Sequence, residues 1–201
     1  MYETYGSLPW RDIHRSDPVV TSGPTDDTLL TLVKSQVRID VEDDDEWLDR
    51  AVTAALRQVE ADTNRAVSRV SYEMTFDGFP CERLFPVARA PLVSVDGLWS
   101  TDDDGTETAF SSSNYIQDTN STPGRLILTP SANWPTNVRR YQGGRVRWTA
   151  GPAEIGDRDL WAVLLLVGHW NANREAVVVG QTPLPLPLGY DACLDRVPCF
   201  G

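Results

Sequence analysis

Histidine and cysteine are scarce in this chain, which has two histidines and three cysteines among 201 residues. Cys81, Cys193 and Cys199 are too few and too far apart to form the disulfide framework of a small secreted domain. The sequence has no CxxC or HxxxH pair for a metal, and no GxxxxGK[ST] or GxGxxG loop for a phosphate. We therefore expect no metal, no cofactor, and synthesis in a reducing cytoplasm.

Long apolar runs are also missing. The sequence has no stretch of about eighteen consecutive apolar residues, which is the length that a helix needs to cross a membrane. Charge is dominated by one sign: 29 acidic residues outnumber 18 basic ones, and the formal net charge is −11. Such a surface excludes a protein that grips nucleic acid all over, because the phosphates would repel it. The charge does not exclude a protein that lets DNA slide past it, because a mildly repulsive surface allows DNA to move without being held.

A catalytic site is not indicated by the two histidines. His14 lies in a segment without apolar periodicity, and His169 lies among Leu, Val and Trp residues of an apolar helix. A hydrogen-bonded structural histidine is commoner in such a place than a general base. Acidic residues are plentiful, so a carboxylate-dependent hydrolase stays one alternative, although nothing selects a particular pair.

Apolar residues at helical spacing predict two helices in the first third of the chain. The first contains Leu32, Val33 and Val37, and the second spans about 44–64. The acidic run Glu42–Glu46 resembles a metal cluster, but carboxylates are also favoured in the first turn of a helix by its dipole. We interpret the run as the start of the second helix.

A third helix is predicted to begin at Asp157 or Asp159. Its residues are apolar nearly all round and include Trp161, so we expect it to be buried on several sides. Between the second and third helices, alternating apolar and polar residues predict short strands. Their ranges are about 70–76, 91–99, 115–116, 125–128 and 145–150.

The acidic stretch Asp102–Glu107 offers two interpretations. A calcium loop needs ligands at alternating positions and a distant bidentate glutamate. Here the acids are adjacent and the flanks are strand-like, which favours an Asp-Gly hairpin turn.

The order of the predicted elements is that of an α+β fold, because elements of one type come in runs. We expect N-terminal helices and a late buried helix to pack with a small, mostly antiparallel β-region. Extended arms are predicted at both ends. The expected division is an N-terminal arm over 1–27, an α+β domain over 28–175 and a C-terminal docking arm over 176–201.

The segment after the last helix is apolar and rich in proline. Pro183, Pro185 and Pro187 alternate with leucines, and proline blocks both helices and central strands. A segment this apolar is an aggregation risk when left bare, so we expect it to be buried against another chain. The predicted partner-binding residues are Val177, Val178, Val179, Leu184, Leu186, Leu188 and Phe200. Packing on its own subunit is the alternative.

A single basic cluster stands out near Tyr141. Its members are Arg139, Arg140, Arg145 and Arg147. They are candidates for contact with DNA phosphates in a channel or with an acidic partner, and a solvated strand face is the alternative.

Several short pieces, in a characteristic order, carry a resemblance to a known family. They are Leu32–Asp40, Glu60–Arg65, Pro91–Val95, Ser131–Pro135, Val146–Gly151, Leu164–Trp170 and Asn173–Val177. Over about residues 28–195 the sequence resembles the head–tail connector (adaptor) proteins of tailed phages, which are found also in prophages and gene transfer agents. The N-terminal arm and the last three residues depart from the pattern.

The resemblance implies a structural protein of the virion neck rather than an enzyme. It implies a ring, usually of twelve copies, clamped beneath the portal protein, with packaged DNA passing non-specifically through its lumen. It also implies a docking surface for the next neck or tail protein (the stopper), and no membrane. A stand-alone soluble binding module is the main alternative, with the hydrolase a lesser one.

Overall fold

The computed structural model describes residues 13–22, 27–38, 43–173 and 189–197. The helices are α1 (Asp27–Val37), α2 (Asp45–Thr63), α3 (Asp157–Ala172) and the short α4 (Tyr190–Cys193). The strands are β1 (Val19–Ser22), β2 (Val70–Phe76), β3 (Leu84–Pro86), β4 (Leu92–Thr101), β5 (Glu107–Ala109), β6 (Tyr115–Asp118), β7 (Arg125–Leu128) and β8 (Gly144–Ala150). The α+β prediction is confirmed.

The larger sheet has five strands in the order β1-β2-β8-β4-β5, and every neighbouring pair is antiparallel. Burial alternates strictly along β2, where Val70, Tyr72, Met74 and Phe76 are buried and the residues between them are not. This is the alternation expected of a sheet with one face on a core and one face in water.

The smaller sheet has three antiparallel strands in the order β3-β7-β6. Its inner residues Phe85, Leu126 and Leu128 belong to the same apolar core as the inner face of the larger sheet. Gln117 on β6 joins the two sheets, because its side-chain amide exchanges hydrogen bonds of 2.9 and 3.1 Å with the backbone of Val95. The two sheets therefore share one core.

The helices build a second apolar core. Leu48, Ala55 and Val59 of α2 are buried in it with Val163 and Val167 of α3. The acidic run does lead into α2, as predicted, and the helix ends at Asn64 in the left-handed conformation, with φ of 54°. Asparagine tolerates that conformation better than most residues, so it suits the end of a helix.

Most of the short-range predictions are confirmed. The Asp-Gly stretch is a hairpin turn between β4 and β5, in which the Asp102 carboxylate accepts the backbone N–H groups of Asp104 and Thr106 at 3.1 and 2.8 Å. The turn before β7 contains Pro123 and Gly124, as the sequence indicated.

The third helix is buried on several sides, as predicted, but Trp161 is not among its buried residues. This residue is 54% exposed, although Val163 and Val167 on the opposite side of the helix are fully buried. Among the described elements, α3 packs against α1, α2 and α4. Trp161 itself stays exposed beside them.

Both ends of the described chain pack on the domain itself. At the N-terminal end, Ile13 is buried in the sheet core, and β1 pairs with β2. At the C-terminal end, Tyr190 and Leu194 are buried in the helical core. The division into arms at residues 27 and 176 stays a prediction for the residues outside the described ranges, whereas residues 13–22 and 189–197 are part of the folded body.

Candidate partner-binding surfaces

The predicted docking residues lie outside the described part of the chain. They are Val177, Val178, Val179, Leu184, Leu186, Leu188 and Phe200. The structure does describe the residues on either side of most of them, Asn173 and Gly189. The chain leaves the end of α3 at Asn173, and it returns at Gly189.

The returning chain is held firmly on the helices. The Tyr190 hydroxyl donates a 2.6 Å hydrogen bond to the Asp62 carboxylate of α2. Burial and this carboxylate raise the pKa of Tyr190. Seven residues later, the Val197 N–H donates to the Thr63 carbonyl at 2.9 Å. The sequence patterns carry no signal for these contacts, because they join residues more than a hundred positions apart.

A buried acid lies beside the same contact. Asp159, in the first turn of α3, is only 4% exposed, and burial raises the pKa of its carboxyl group. The Arg65 guanidinium lies 3.6 Å from the Asp159 carboxylate, and its positive charge opposes this rise in pKa. The same guanidinium lies 3.7 Å from the Asp195 carboxylate. Arg65 thus connects the end of α2, the start of α3 and the returning chain.

The basic cluster predicted from the sequence is divided by the fold. Arg145 and Arg147 lie on the solvent face of β8, beside Glu73 on β2. The Glu73 carboxylate accepts from Arg145 at 2.9 Å and from Arg147 at 2.8 Å. Glu107 on β5 takes a bidentate pair of bonds from Arg145, at 2.8 and 2.7 Å. Two acids therefore balance the two arginines.

The same face carries an aromatic ring. The Arg145 guanidinium lies 4.0 Å from the centre of the Trp99 ring, and the Arg147 guanidinium lies 5.8 Å from it. Burial tends to raise the pKa of Glu73, but the bonds from Arg147 and Arg145 outweigh it and lower the pKa. The bond from Arg145 likewise lowers the pKa of Glu107. These arginines have strong partners within the chain, so they are less available to a phosphate.

Arg139 and Arg140 lie instead in the loop before β8. Arg139 donates two bonds to the Gln142 carbonyl, at 3.2 and 3.0 Å, and Arg140 lies 5.3 Å from the ring centre of Tyr141. Tyr141 is 64% exposed. We name Arg139, Arg140 and Tyr141 the loop tip.

The loop tip lies beside the acidic hairpin turn of β4 and β5. The Arg139 N–H donates to the Thr101 carbonyl at 2.9 Å, and the Thr101 N–H donates to the Gly143 carbonyl at 2.8 Å. The three acids Asp102–Asp104 begin at the next residue. Two clusters of opposite charge thus lie together at one end of the larger sheet.

In the other acidic run, the described residues 43–46 lead into α2, and two of them form ion pairs within the helical layer. Asp45 forms an ion pair with Lys34 of α1, and Glu46 forms one with Arg50 at 2.6 Å. These contacts accord with its interpretation as a helix start.

Apolar side chains are exposed at separate places. Besides Trp161, Ile116 on the outer face of the smaller sheet is 57% exposed. A groove between α2 and α3 is lined by Trp47, Ala51 and Trp170, with Arg50 and Asn173 at its edge. These surfaces could not be found from the sequence, because apolar periodicity identifies apolar side chains without showing which neighbour covers each of them.

Within the described residues, no group of three or more His, Cys, Asp or Glu side chains is placed to hold a metal ion. His169 lies half-buried in the last turn of α3, where its carbonyl accepts from Asn173. The described helices include none long and apolar enough to span a bilayer.

Three solved structures are similar to this chain. The neck of an empty gene transfer agent (GTA) particle, computed with C6 symmetry, matches with a TM-score of 0.71 at 18% identity, over 92% of this chain and 97% of that one. The chain has the fold of a GTA neck chain. The virion of a native GTA particle gives the same TM-score, identity and coverage. The neck of a native GTA particle, computed with C12 symmetry, gives a TM-score of 0.67 at the same identity and coverage.

The likeness to the GTA neck chains agrees, at the level of the fold, with the resemblance seen in the sequence. No protein-family model and no curated protein matches this chain.

Proposed function

We propose that this chain is a structural head–tail connector (adaptor) in the neck of a tailed phage or related particle. The observation that carries the proposal is the match to GTA neck chains over 92% of this chain and 97% of theirs. A likeness of this extent leaves little of either chain without a counterpart, so the whole architecture is shared rather than one motif.

We propose further that the subunits form a closed ring, twelvefold like the symmetry applied to a neck of similar fold. In a cyclic ring each copy uses two different surfaces, one toward each neighbour. The exposed residues Trp161 on α3 and Ile116 on the smaller sheet lie on separate elements and suit such a pair of surfaces. Covering apolar area stabilises an interface by roughly 25 cal/mol per Å².

The lumen of this ring would carry DNA without gripping it. The end of the larger sheet that combines Asp102–Asp104 with Arg139 and Arg140 is our candidate for the lining. Acids next to the two arginines weaken attraction for phosphate, and salt screens charges beyond about 8 Å. We assign Arg145 and Arg147 mainly to holding the sheet face together, because Glu73 and Glu107 already bind them.

The segment after α3 is the proposed docking element for the portal protein. Its apolar residues Val177–Val179 and Leu184–Leu188 would lose contact with water on assembly, and its prolines restrict the free chain so that less entropy is lost. Phe200 is proposed to extend this contact. The opposite side of the ring would receive the next neck or tail protein.

A reconstruction of the native particle with this chain carrying a small inserted tag tests the role directly. We expect density for a ring of this fold between the portal and the tail, with the tag visible on every copy. Location of the chain elsewhere in the particle would overturn the proposal. Native mass spectrometry with and without portal protein separates a ring component from a stand-alone binding module, because only the former forms portal-bound multimers.

A further inference from the structure

We propose that the loop tip of one copy docks into the groove between α2 and α3 of the next copy. The tip carries Arg140 and the exposed Tyr141, and the groove is lined by Trp47, Ala51 and Trp170. This contact rests on the proposed ring and deepens it, because it names two surfaces that meet at each boundary between subunits.

The groove suits an aromatic side chain that arrives together with a cation. Its volume is about 420 Å³, which is room for a tyrosine ring. Trp47 and Trp170 are half-buried, so part of each indole ring remains in contact with water. Indole rings pack favourably against another aromatic ring and attract a guanidinium to their faces.

The charge beside the groove is negative. Arg50 at the groove edge is bound by Glu46 at 2.6 Å, so its charge is balanced within α2. Four acids, Asp43–Glu46, lie at the start of this helix, and two of them pair with Lys34 and Arg50. The two arginines of the loop tip carry the opposite charge, and complementary charges orient two surfaces as they meet.

The loop tip is held in position within its own chain. The Gln142 N–H donates to the Asp77 carboxylate at 2.7 Å, and the Arg139 guanidinium donates twice to the Gln142 carbonyl. A β-carbon placed on Gly143 would lie 2.3 Å from the Arg139 carbonyl oxygen, so the loop closes as tightly as a glycine permits. A preformed loop loses little entropy on binding, and Tyr and Arg are among the residues that contribute most to binding energy.

A second copy is the occupant because the two surfaces do not meet within one chain. Tyr141 is 64% exposed, so it does not fill the groove of its own chain. Val138, just before the tip, packs on the sheet core, whereas Trp47 and Trp170 pack on the helical core. A contact between two different surfaces is head-to-tail, and such contacts close into a ring when the rotation between copies permits it.

The contact agrees with an acidic lumen. In this arrangement Arg140 and Tyr141 reach the neighbouring copy, whereas Asp102–Asp104 at the base of the tip remain for the channel. The tip then closes the boundary between two copies, and the wall beside it stays acidic and does not hold DNA.

Thiol crosslinking in purified portal-containing particles tests the contact. The native cysteines are first replaced by Cys81→Ser, Cys193→Ala and Cys199→Ser. Gln142→Cys, exposed beside the tip, is then combined with Arg50→Cys at the groove edge. A short bismaleimide should join the copies into a ladder of covalent multimers, because each copy offers one thiol to each neighbour. Either cysteine alone should give no ladder.

The matched control combines Gln142→Cys with Asp49→Cys, an exposed position on the opposite side of α2 from Trp47. It should give no multimers. A ladder from this control, dimers from Gln142→Cys alone, or no ladder from the Gln142–Arg50 pair in particles that contain it would overturn the proposed contact.

Incorporation into particles gives a second readout that needs no crosslinker. Tyr141→Asp should lower the amount of chain in purified particles roughly tenfold or more, because an acid replaces the ring beside an acidic groove. Tyr141→Phe keeps the ring, and Thr136→Asp adds an acid at an exposed position outside the tip, so both should be incorporated normally. Normal incorporation of Tyr141→Asp would contradict the contact. Absence of the unaltered chain from the neck would instead overturn the proposed function.

Discussion

The Tyr72 hydroxyl donates a 2.9 Å hydrogen bond to the carboxylate of Glu60, and through it the larger sheet is joined to α2. Tyr72 lies in the sheet core, and Glu60, on a helix, is only 3% exposed. Glu60 also accepts from the Val67 N–H at 3.3 Å and pairs with Arg57 at 2.7 Å. Burial, followed by the neighbouring carboxylate, raises the pKa of Tyr72, so its hydroxyl keeps its proton and acts as the donor.

We expect Tyr72→Phe to lower the free energy of unfolding by about 1.5 kcal/mol, the usual loss for a buried hydrogen bond to a charged group. For a chain of this size that is a fall in Tm of about 3–6 °C. Thermal unfolding followed by circular dichroism measures it. Tyr141→Phe, at an exposed tyrosine, is the control and should change the Tm little. Equal effects from the two variants would show that the Tyr72–Glu60 bond contributes nothing to stability.

The carboxyl group of Asp118 should titrate far below the usual range. The Ser121 hydroxyl, then the Arg125 guanidinium, donate to it at 2.6 and 2.8 Å and lower its pKa to about 2. Since the pKa in the folded state is the lower one, the resulting stability is present above about pH 3.8 and is lost as the pH falls through about 2.

Carbon-detected NMR titration of the Asp118 carboxyl measures that pKa directly. Ser121→Ala should raise it, because the strongest donor is removed. Ser113→Ala, which removes a hydroxyl bonded to Ser111 instead, should leave it unchanged. A titration midpoint near that of an ordinary aspartate in the unaltered protein would contradict the geometry of this turn.

Two glycines with nearly equal φ angles should respond very differently to alanine. Gly78 has φ of 99° with no described atom within 4 Å of an added β-carbon, whereas at Gly151, with φ of 101°, that carbon would lie 2.0 Å from the Ser68 carbonyl oxygen. We expect Gly78→Ala to cost about 1–2 kcal/mol from backbone strain alone. Gly151→Ala should cost about 1–3 kcal/mol more, because backbone must also move. Urea unfolding of both variants checks the difference, and equal losses would refute it.

The sequence predicted local structure well because the local signals agree with one another. For α2, an acidic first turn, a regular apolar stripe and a terminal Asn64 all indicate the same helix. For the β4–β5 hairpin, adjacent acids and Gly105 between strand-like flanks indicate a turn. Each of these signals lies within a few residues of the structure it specifies.

The surfaces could not be predicted in the same way, because they depend on contacts between distant residues. Arg145 and Arg147 looked like a free basic cluster until the pairing of β8 with β2 placed Glu73 beside them. The meeting of Arg139 with the Asp102 turn depends on hydrogen bonds across about forty positions. The apolar residues of α3 predict burial on several sides, but they do not show that Trp161 lies on a side left exposed, because burial also needs a neighbour there.

The last prediction separates folding from docking in the C-terminal segment. Deleting everything from Val177 onward would also remove Tyr190, which is 2% exposed and bonded to Asp62, so such a truncation confuses the two roles. We expect Tyr190→Ala to cost about 3–5 kcal/mol, as large aromatic truncations in cores do. The triple variant Val177→Asp, Val178→Asp, Val179→Asp should instead unfold within about 0.5 kcal/mol of the original chain, the range of surface substitutions. It should nevertheless fail to join portal-containing particles, because three charges cannot be buried against a partner without a large cost in free energy.

Urea unfolding and immunoblots of purified particles measure the two effects. Normal incorporation of the triple variant would show that the valines are not the docking element, and a loss of stability like that of Tyr190→Ala would place them in the subunit's own core.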